Sequence, residues 1–270
     1  MTPSDYPPRS LLYVPGSNAR ALEKAGGLAA DMLIIDLEDA VPEGRKDEAR
    51  AAMRAAVTTG FPGKRVAVRV NATGTAEQAD DMAAIASLAL DALVLPKVDA
   101  PSDLDPLRGL GLPIFAMIET PAAIYAAQGI AADPAVTGLI AGLNDLAHEL
   151  KLPDGMDRGA MSHAIQAIVL AARAGGVWGF DGVYNAIDDA AGFAAEAAEG
   201  RRLGFDGKTL IHPSQVGPCN IAFAPSEREI AAAEALVAAA TGGAQRHDGR
   251  MIEDMHVAAA RMLLERAGRA

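Results

Sequence analysis

The chain has 270 residues, half of them hydrophobic, and a formal net charge of −11. That length admits two small domains or one α/β barrel of about 250 residues, while the acidic balance excludes a general nucleic-acid surface, which needs an electropositive face. The single cysteine, Cys219, rules out an intrachain disulfide, and no signal-peptide core or long apolar run is present, so the expected location is the cytoplasm with no membrane partner.

In chain order, 10–14 reads as a first strand, followed by the turn Pro15-Gly16-Ser17-Asn18 and an Ala/Leu-rich helix from Ala19. A second strand, 31–37, delivers Glu38 and Asp39, and a helix follows over 46–56. The third strand, 65–70, alternates as RVAVRV, and 76–88 is helical. The fourth, 92–95, ends on Pro96-Lys97. The fifth, 114–118, is an unbroken apolar run introduced by Pro113 and ending on Glu119. Buried parallel strands look like this, because both faces are covered and alternation disappears. The sixth, 136–141, leads to Asn144 and Asp145; a long helix over 158–174, a seventh strand over 177–184, a helix over 190–202 and an eighth strand over 207–211 follow.

Eight strands separated by helices at spacings of roughly 25–35 residues fit a closed (β/α)8 TIM barrel over 1–222 better than an open doubly wound sheet. The segment 223–270 differs in character and is expected to form a C-terminal helical extension. There Ser226-x-x-Glu229 is a capping box, opening a helix that stops near Gly242-Gly243. The stretch 245–250, QRHDGR, reads as a polar turn, and 251–266 as a last helix.

Barrel active sites lie at the C-terminal ends of the strands, where this chain places Glu38, Asp39, Arg69, Asn71, Lys97, Glu119, Asp145, Asp181 and His212. Two carboxylates from successive strands, Glu119 and Asp145, suit Mg²⁺, which takes oxygen ligands and keeps several waters. Arg69 beside them points to an oxygen that gains charge. A metal and an arginine acting on one oxygen stabilise an enolate, hence the making or breaking of a C–C bond next to a carbonyl. Any one of these residues alone reads better as an ordinary strand-end ion pair; the set carries the reading. Other signals are weaker. Gly207-Lys208-Thr209 imitates a phosphate loop but lacks the first glycine, Arg202 standing there, and His148-Glu149 opens a zinc-protease motif that Leu152 does not complete. Ser214 lacks a nucleophile-elbow context, and His163 lies within a helix.

Seven ordered motifs carry a family resemblance: RSLLYVPGSN at 9–18, DLEDAV at 36–41, VRVN at 68–71, LPKV at 95–98, MIET at 117–120, GLNDL at 142–146 and GFDGKTLIHPSQ at 204–215. The chain resembles the citrate lyase β-subunit-like (CitE-like)/malyl-CoA lyase family of CoA-ester lyases. The resemblance implies that Glu119 and Asp145 are Mg²⁺ ligands and that Arg69 contacts the substrate's carbonyl and carboxylate oxygens. It places Tyr13, Arg20 and Lys24 near CoA, with Arg20 where some relatives have lysine, and makes Glu38 and Asp39 an acidic pair lining the site. The stretch 249–263 resembles a segment that covers a neighbouring subunit's site, with Glu253 at the catalytic acid's position and Asp254 as the alternative one residue on. A departure is NAIDD at 185–189, where some relatives carry an acid in place of Ala186. The implied reaction is retro-Claisen or retro-aldol cleavage of a citramalyl-, malyl- or citryl-CoA-like substrate to acetyl-CoA and a 2-keto acid, in a homotrimer. A malyl-CoA-type thioesterase or synthase, and a CoA-ester-binding subunit of a citrate lyase complex, are the alternatives.

Overall fold

Side chains alternate along a strand, and in this chain one parity of each barrel strand fills a common interior. The computed structural model describes residues 6–153, 155 and 158–269. Its first half runs β1 (Ser10–Pro15), α1 (Ala19–Ala25), β2 (Met32–Asp36), α2 (Lys46–Thr59), β3 (Arg65–Arg69), α3 (Ala76–Ile85), β4 (Ala92–Leu95) and α4 (Asp105–Arg108). Next come β5 (Ile114–Ile118), α5 (Pro121–Ala131), β6 (Val136–Ala141), α6 (Leu143–Glu149), α7 (Ser162–Gly175), β7 (Trp178–Asp181), α8 (Ala190–Leu203), β8 (Gly207–Leu210) and α9 (Val216–Phe223). The chain ends with α10 (Glu227–Ala239), β9 (Gln245–His247), β10 (Arg250–Ile252) and α11 (Asp254–Arg266).

Strands β1 to β8 pair in order and in parallel, and β8 returns to β1 through Ser10↔Lys208 and Leu12↔Leu210, so the sheet closes. The (β/α)8 barrel expected from strand count is borne out. Every residue of β2, β4 and β5 is buried, which is why those segments are apolar without alternation. Leu11, Met32, Ile34, Ala67, Val94, Phe115, Met117, Ile140 and Phe180 belong to one interior cluster. Phe115 and Phe180 meet at 5.2 Å between ring centroids. Gly138 makes that possible: a Cβ there would stand 2.9 Å from Phe115 and 3.0 Å from Phe180. Burying each large apolar side chain contributes roughly 1.5–3 kcal/mol, so this plug is a firm base for whatever lies above it. Continuing the same parity one step toward the C-terminal ends gives Tyr13, Asp36, Arg69 and Glu119. The interior changes from apolar to charged within one layer.

Helix starts follow from local chemistry. Thr120 caps α5 by accepting from the Ala123 N–H at 3.0 Å, with Pro121 in the first turn. Contacts divide the described chain into two compact units, one over Pro7–Ala222 and one chiefly over 223–269. In the second, the capping box opens α10: Ser226 N–H donates to Glu229 Oε2 at 2.7 Å. Helices α10 and α11 pack through Ile230, Ala233, Ala260 and Leu264. Among the described residues no helix is long and apolar enough to cross a membrane.

Three local expectations are corrected. The helix expected over 158–174 begins as a 3-10 turn, Arg158–Met161, and becomes α-helical only at Ser162; Arg158 is drawn to Asp181 by two 3.0 Å bonds. The polar turn over 245–250 is the hairpin β9–β10, reversed by Asp248 (φ 44°) and Gly249 (φ 78°). Both residues have positive φ, the demand of a type I′ turn, and Asp-Gly is its sequence signal. The last helix therefore starts at Asp254 rather than Met251, whose residue pairs with Arg246 in the hairpin.

Candidate active site

The register of β2 and β3 sets Asp36 opposite Arg69. Asp36 Oδ1 and Oδ2 accept from Arg69 Nε and Nη2 at 2.7 and 2.6 Å, a two-pronged bond that fixes the guanidinium plane. Asp36 also accepts from the Glu38 and Ala40 N–H groups at 2.9 and 3.0 Å, tying the loop after β2 to the same carboxylate. Burial opposes the charge on Arg69, yet Asp36 and its neighbours hold its pKa well above the ordinary value. The Tyr13 ring lies under the cation, 4.8 Å from Arg69 Cζ. Asp36 was missed by sequence reasoning, although its parity with Met32 and Ile34 and its place at the end of an apolar strand mark it.

The loop bearing Glu38 and Asp39 has a second anchor. The buried Lys46 ammonium donates to Leu37 O, Glu38 O and Asn71 Oδ1 at 2.7–2.8 Å. Asn71 in turn donates from its N–H and Nδ2 to Asp81 Oδ2 at 2.8 and 2.6 Å. Asn71 thus supports the loop from behind. Asp39 is exposed at the pocket wall, 3.4 Å from Arg69 Nη1. Glu38 stands beside Arg69 and Lys97. Its Oε2 is 2.9 Å from Arg69 Nη1 but outside hydrogen-bond geometry, and its Oε1 is 3.7 Å from Lys97 Nζ. Burial first, then Asp39 and Asp36, push Glu38 up to about 7 against the pull of Arg69.

Glu119 follows β5 and is 2% exposed. Its Oε1 accepts from the Lys97 N–H at 2.7 Å. Burial, and secondarily the charges of Asp145 and Glu38, raise it to about 7, opposed by that N–H and by Arg69. Asp145 does not sit on a strand end: it lies in the first turn of α6, after the cap residue Gly142. Both carboxylates line one pocket of ≈ 300 Å³ with Tyr13, Asp36, Asp39, Arg69, Met117, Asn144 and Thr209. Among the described residues no group of three or more His, Cys, Asp or Glu forms a ligand cluster. The donor set fits a hard cation that completes its shell with water, as Mg²⁺ does, and the charge of Asp145, which raises the proton affinity of Glu119, is what such a cation relieves.

The remaining expected residues are distributed differently. Tyr13 is in the pocket, whereas Arg20 and Lys24 are exposed on α1. Asp181 and His212 are taken up by structure. Asp181 is fully buried between Lys208 Nζ at 2.9 Å and the Arg158 fork, and His212 Nδ1 lies 2.8 Å from Ser214 Oγ in the turn after β8. Glu253 precedes α11 in the second unit, its N–H donating to His256 Nδ1 at 3.0 Å.

The barrel strands and every pocket residue named above lie within 9–213, the stretch that matches the family described as HpcH/HpaI aldolase/citrate lyase. The chain belongs to that family. Within it, a (3S)-malyl-CoA thioesterase of Cereibacter sphaeroides is 45% identical over 97% of this chain and 95% of its own. A citrate lyase subunit beta-like protein of Mycobacterium tuberculosis is 36% identical over 96% of this chain and 95% of its own. Among solved structures, the CitE protein of M. tuberculosis in complex with magnesium, acetoacetate and coenzyme A matches with a TM-score of 0.85 and 34% identity, covering 98% of this chain and 99% of that one. The M. tuberculosis citrate lyase beta subunit complexed with oxaloacetate and magnesium matches at 0.73 and 34%, covering 80% and 96%.

Proposed function

We propose that this chain is a Mg²⁺-dependent enzyme acting on the CoA thioester of a short 3-hydroxy acid, of the malyl-, citramalyl- or citryl-CoA kind. Its reaction is cleavage of the bond between the hydroxyl-bearing carbon and the carbon next to the thioester. The observation that carries this is the meeting, in one pocket, of the Asp36-clamped Arg69 with the Glu119 and Asp145 carboxylates. The magnesium, keto acids and coenzyme A bound by the M. tuberculosis neighbours support it.

Glu119 and Asp145 are the assigned ligands; when bound, Mg²⁺ supplies a Lewis acid for the substrate's hydroxyl and carboxylate oxygens. Asp36 keeps two of the Arg69 nitrogens occupied, so Nη1, which is 3.4 Å from Asp39 and 2.9 Å from Glu38 Oε2 without hydrogen-bond geometry to it, is the group that turns to a substrate oxygen as charge develops. Asp39 takes the hydroxyl proton as the C–C bond breaks. The bonding pair moves to the thioester fragment, giving the acetyl-CoA enolate and a 2-keto acid. A proton returned to the enolate carbon completes acetyl-CoA. We assign that proton to Glu253 of a neighbouring subunit in a homotrimer, with Asp254 as the alternative, on the resemblance of 249–263 to the relatives' covering segment. Arg20 and Lys24 are assigned to CoA phosphates, Tyr13 to the support of Arg69, and Glu38 to holding Arg69 and Lys97 in place.

The 45% identity to a (3S)-malyl-CoA thioesterase favours a second reading, net hydrolysis of the same thioester to free CoA and the hydroxy acid. One assay separates them. Purified protein is incubated with (3S)-malyl-CoA and Mg²⁺, and products are resolved by chromatography. Acetyl-CoA with glyoxylate supports cleavage, free CoA with malate supports hydrolysis, and neither product from malyl-, citramalyl- or citryl-CoA would overturn the proposal.

A further inference from the structure

Lys97 stands just beyond β4 in the left-handed region, with φ 53°. Among the described non-glycine residues only Lys151 and Asp248 share a positive φ. Asp248 turns the β9–β10 hairpin and Lys151 follows the end of α6, both in chain reversals. Lys97 instead stands beside the pocket, where a residue with a Cβ adopts this conformation only if its surroundings impose it. What the conformation yields is a turn: the chain bends away after Lys97 while its N–H, held in the peptide plane that ends β4, stays on Glu119 Oε1, 2.7 Å away. The ammonium does something else, for Nζ lies 3.7 Å from Glu38 Oε1 and the side chain is half exposed. The hydrogen bond to Glu119 comes from the backbone, not from the ammonium.

Glu119 is enclosed on another side by the backbone of Gly142, where an added Cβ would stand 2.3 Å from Glu119 Cβ. Oε1 is thus tied to Lys97, Gly142 closes a second side, and the carboxylate lines the same pocket as Asp145. We propose that Lys97 is a positioning residue whose left-handed backbone turns the chain so that its amide donor stays on Glu119 and presets the carboxylate for a divalent cation. This rests on the reading of Glu119 as a Mg²⁺ ligand.

The test separates amide from ammonium. Mg²⁺ affinity is measured by calorimetry, without substrate, for the wild type, Lys97→Ala, Lys97→Gly, Lys97→Val and Glu119→Ala. Alanine removes the ammonium at the same backbone cost and glycine relieves that cost, so both are expected within about threefold of wild type, whereas β-branched valine resists positive φ and is expected to weaken binding about 10–100-fold. Amide hydrogen exchange at Lys97 is read in parallel, on metal-free protein, and needs no valine variant to fold: it is expected to quicken in Glu119→Ala. Affinity in Lys97→Ala as weak as in Lys97→Val would assign the effect to the ammonium and overturn the inference. So would a Lys97→Val that binds like wild type, or, where that variant does not fold, an exchange rate unmoved by Glu119→Ala. In those outcomes Glu119→Ala still loses Mg²⁺, leaving the proposed function intact. Undiminished Mg²⁺ binding by Glu119→Ala would instead overturn the ligand assignment and this inference with it.

Discussion

Arg69 offers a planar fork, and Asp36 takes one edge of it, so what the site presents to a ligand is a fixed plane rather than a mobile charge. Lysine at this position keeps the charge and loses the plane. Arg69→Lys is therefore expected to lower kcat by roughly 10²–10³, the scale of a lost oxyanion donor, with Mg²⁺ affinity little changed; steady-state kinetics in which only KM moves would show that Arg69 merely binds. Glu119 gives a pH prediction. Its ordinary value of 4.5 is raised to about 7, chiefly by burial, in the metal-free protein. The folded state thus holds this proton more tightly than the unfolded one, and the resulting stability is full below 4.5 and lost as pH rises through about 7. A metal ligand must shed that proton, so Mg²⁺ affinity should fall by up to tenfold per unit below about pH 7. Calorimetric titrations between about pH 6 and 8 check this, and a flat profile would contradict it.

At the scale of elements, the join of β6 to α6 brings the backbone hard against a carboxylate of the pocket. Gly142→Ala places a Cβ 2.4 Å from Glu119 Oε2 and 2.3 Å from its Cβ. The second atom is close to the backbone and moves little. The substitution is expected to cost about 1–3 kcal/mol of stability and at least about tenfold in Mg²⁺ affinity, read by thermal melts and calorimetry. The join of β7 to β8 depends on charge instead. Lys208, wholly buried, donates to Asp181, Gly182 O and Glu196 at 2.9, 2.6 and 2.7 Å. Burial pushes Asp181 upward, but Lys208 and Arg158 outweigh it and hold the carboxyl below 3.8. Its stabilising contribution is therefore present above 3.8 and disappears as pH falls through the lower folded value. Lys208→Met strips an ammonium from a dry carboxylate and is expected to cost about 3–5 kcal/mol by denaturant unfolding at neutral pH. Removing both partners, in Asp181→Leu with Lys208→Met, should recover part of that loss, because Arg158, deprived of Asp181, still pairs with Glu196 and Glu199 at 3.3 and 3.4 Å.

For the whole molecule, the assignment of Glu253 to a neighbouring subunit's reaction has its own test. Glu253→Gln and Arg69→Ala proteins, each expected to be inactive alone, are dissociated and re-formed together. Shared sites predict regained turnover in the mixed oligomers, and none regained although mixing is shown by mass spectrometry would end that assignment. Much of the architecture was legible beforehand. Eight apolar runs at α/β spacing favoured a closed parallel barrel over an open sheet, and their C-terminal ends already carried Arg69 and Glu119, because period two and burial are local properties that residues state one after another. What the sequence did not determine was which charges are free. Asp36 and Asp181 look alike as acids ending apolar strands, yet Asp36 orients Arg69 inside the pocket while Asp181 is locked to Lys208 and Arg158. Asp248-Gly249 carried a readable hairpin signal, but the left-handed turn of Lys97 carried none, since nothing in Pro96-Lys97 demands positive φ. Register between strands, burial on every side, and a backbone bent to meet a carboxylate from the next strand are set by partners far apart in the chain. Only the closed barrel brings those partners together, and only there does a carboxylate acquire its proton affinity or an arginine its plane.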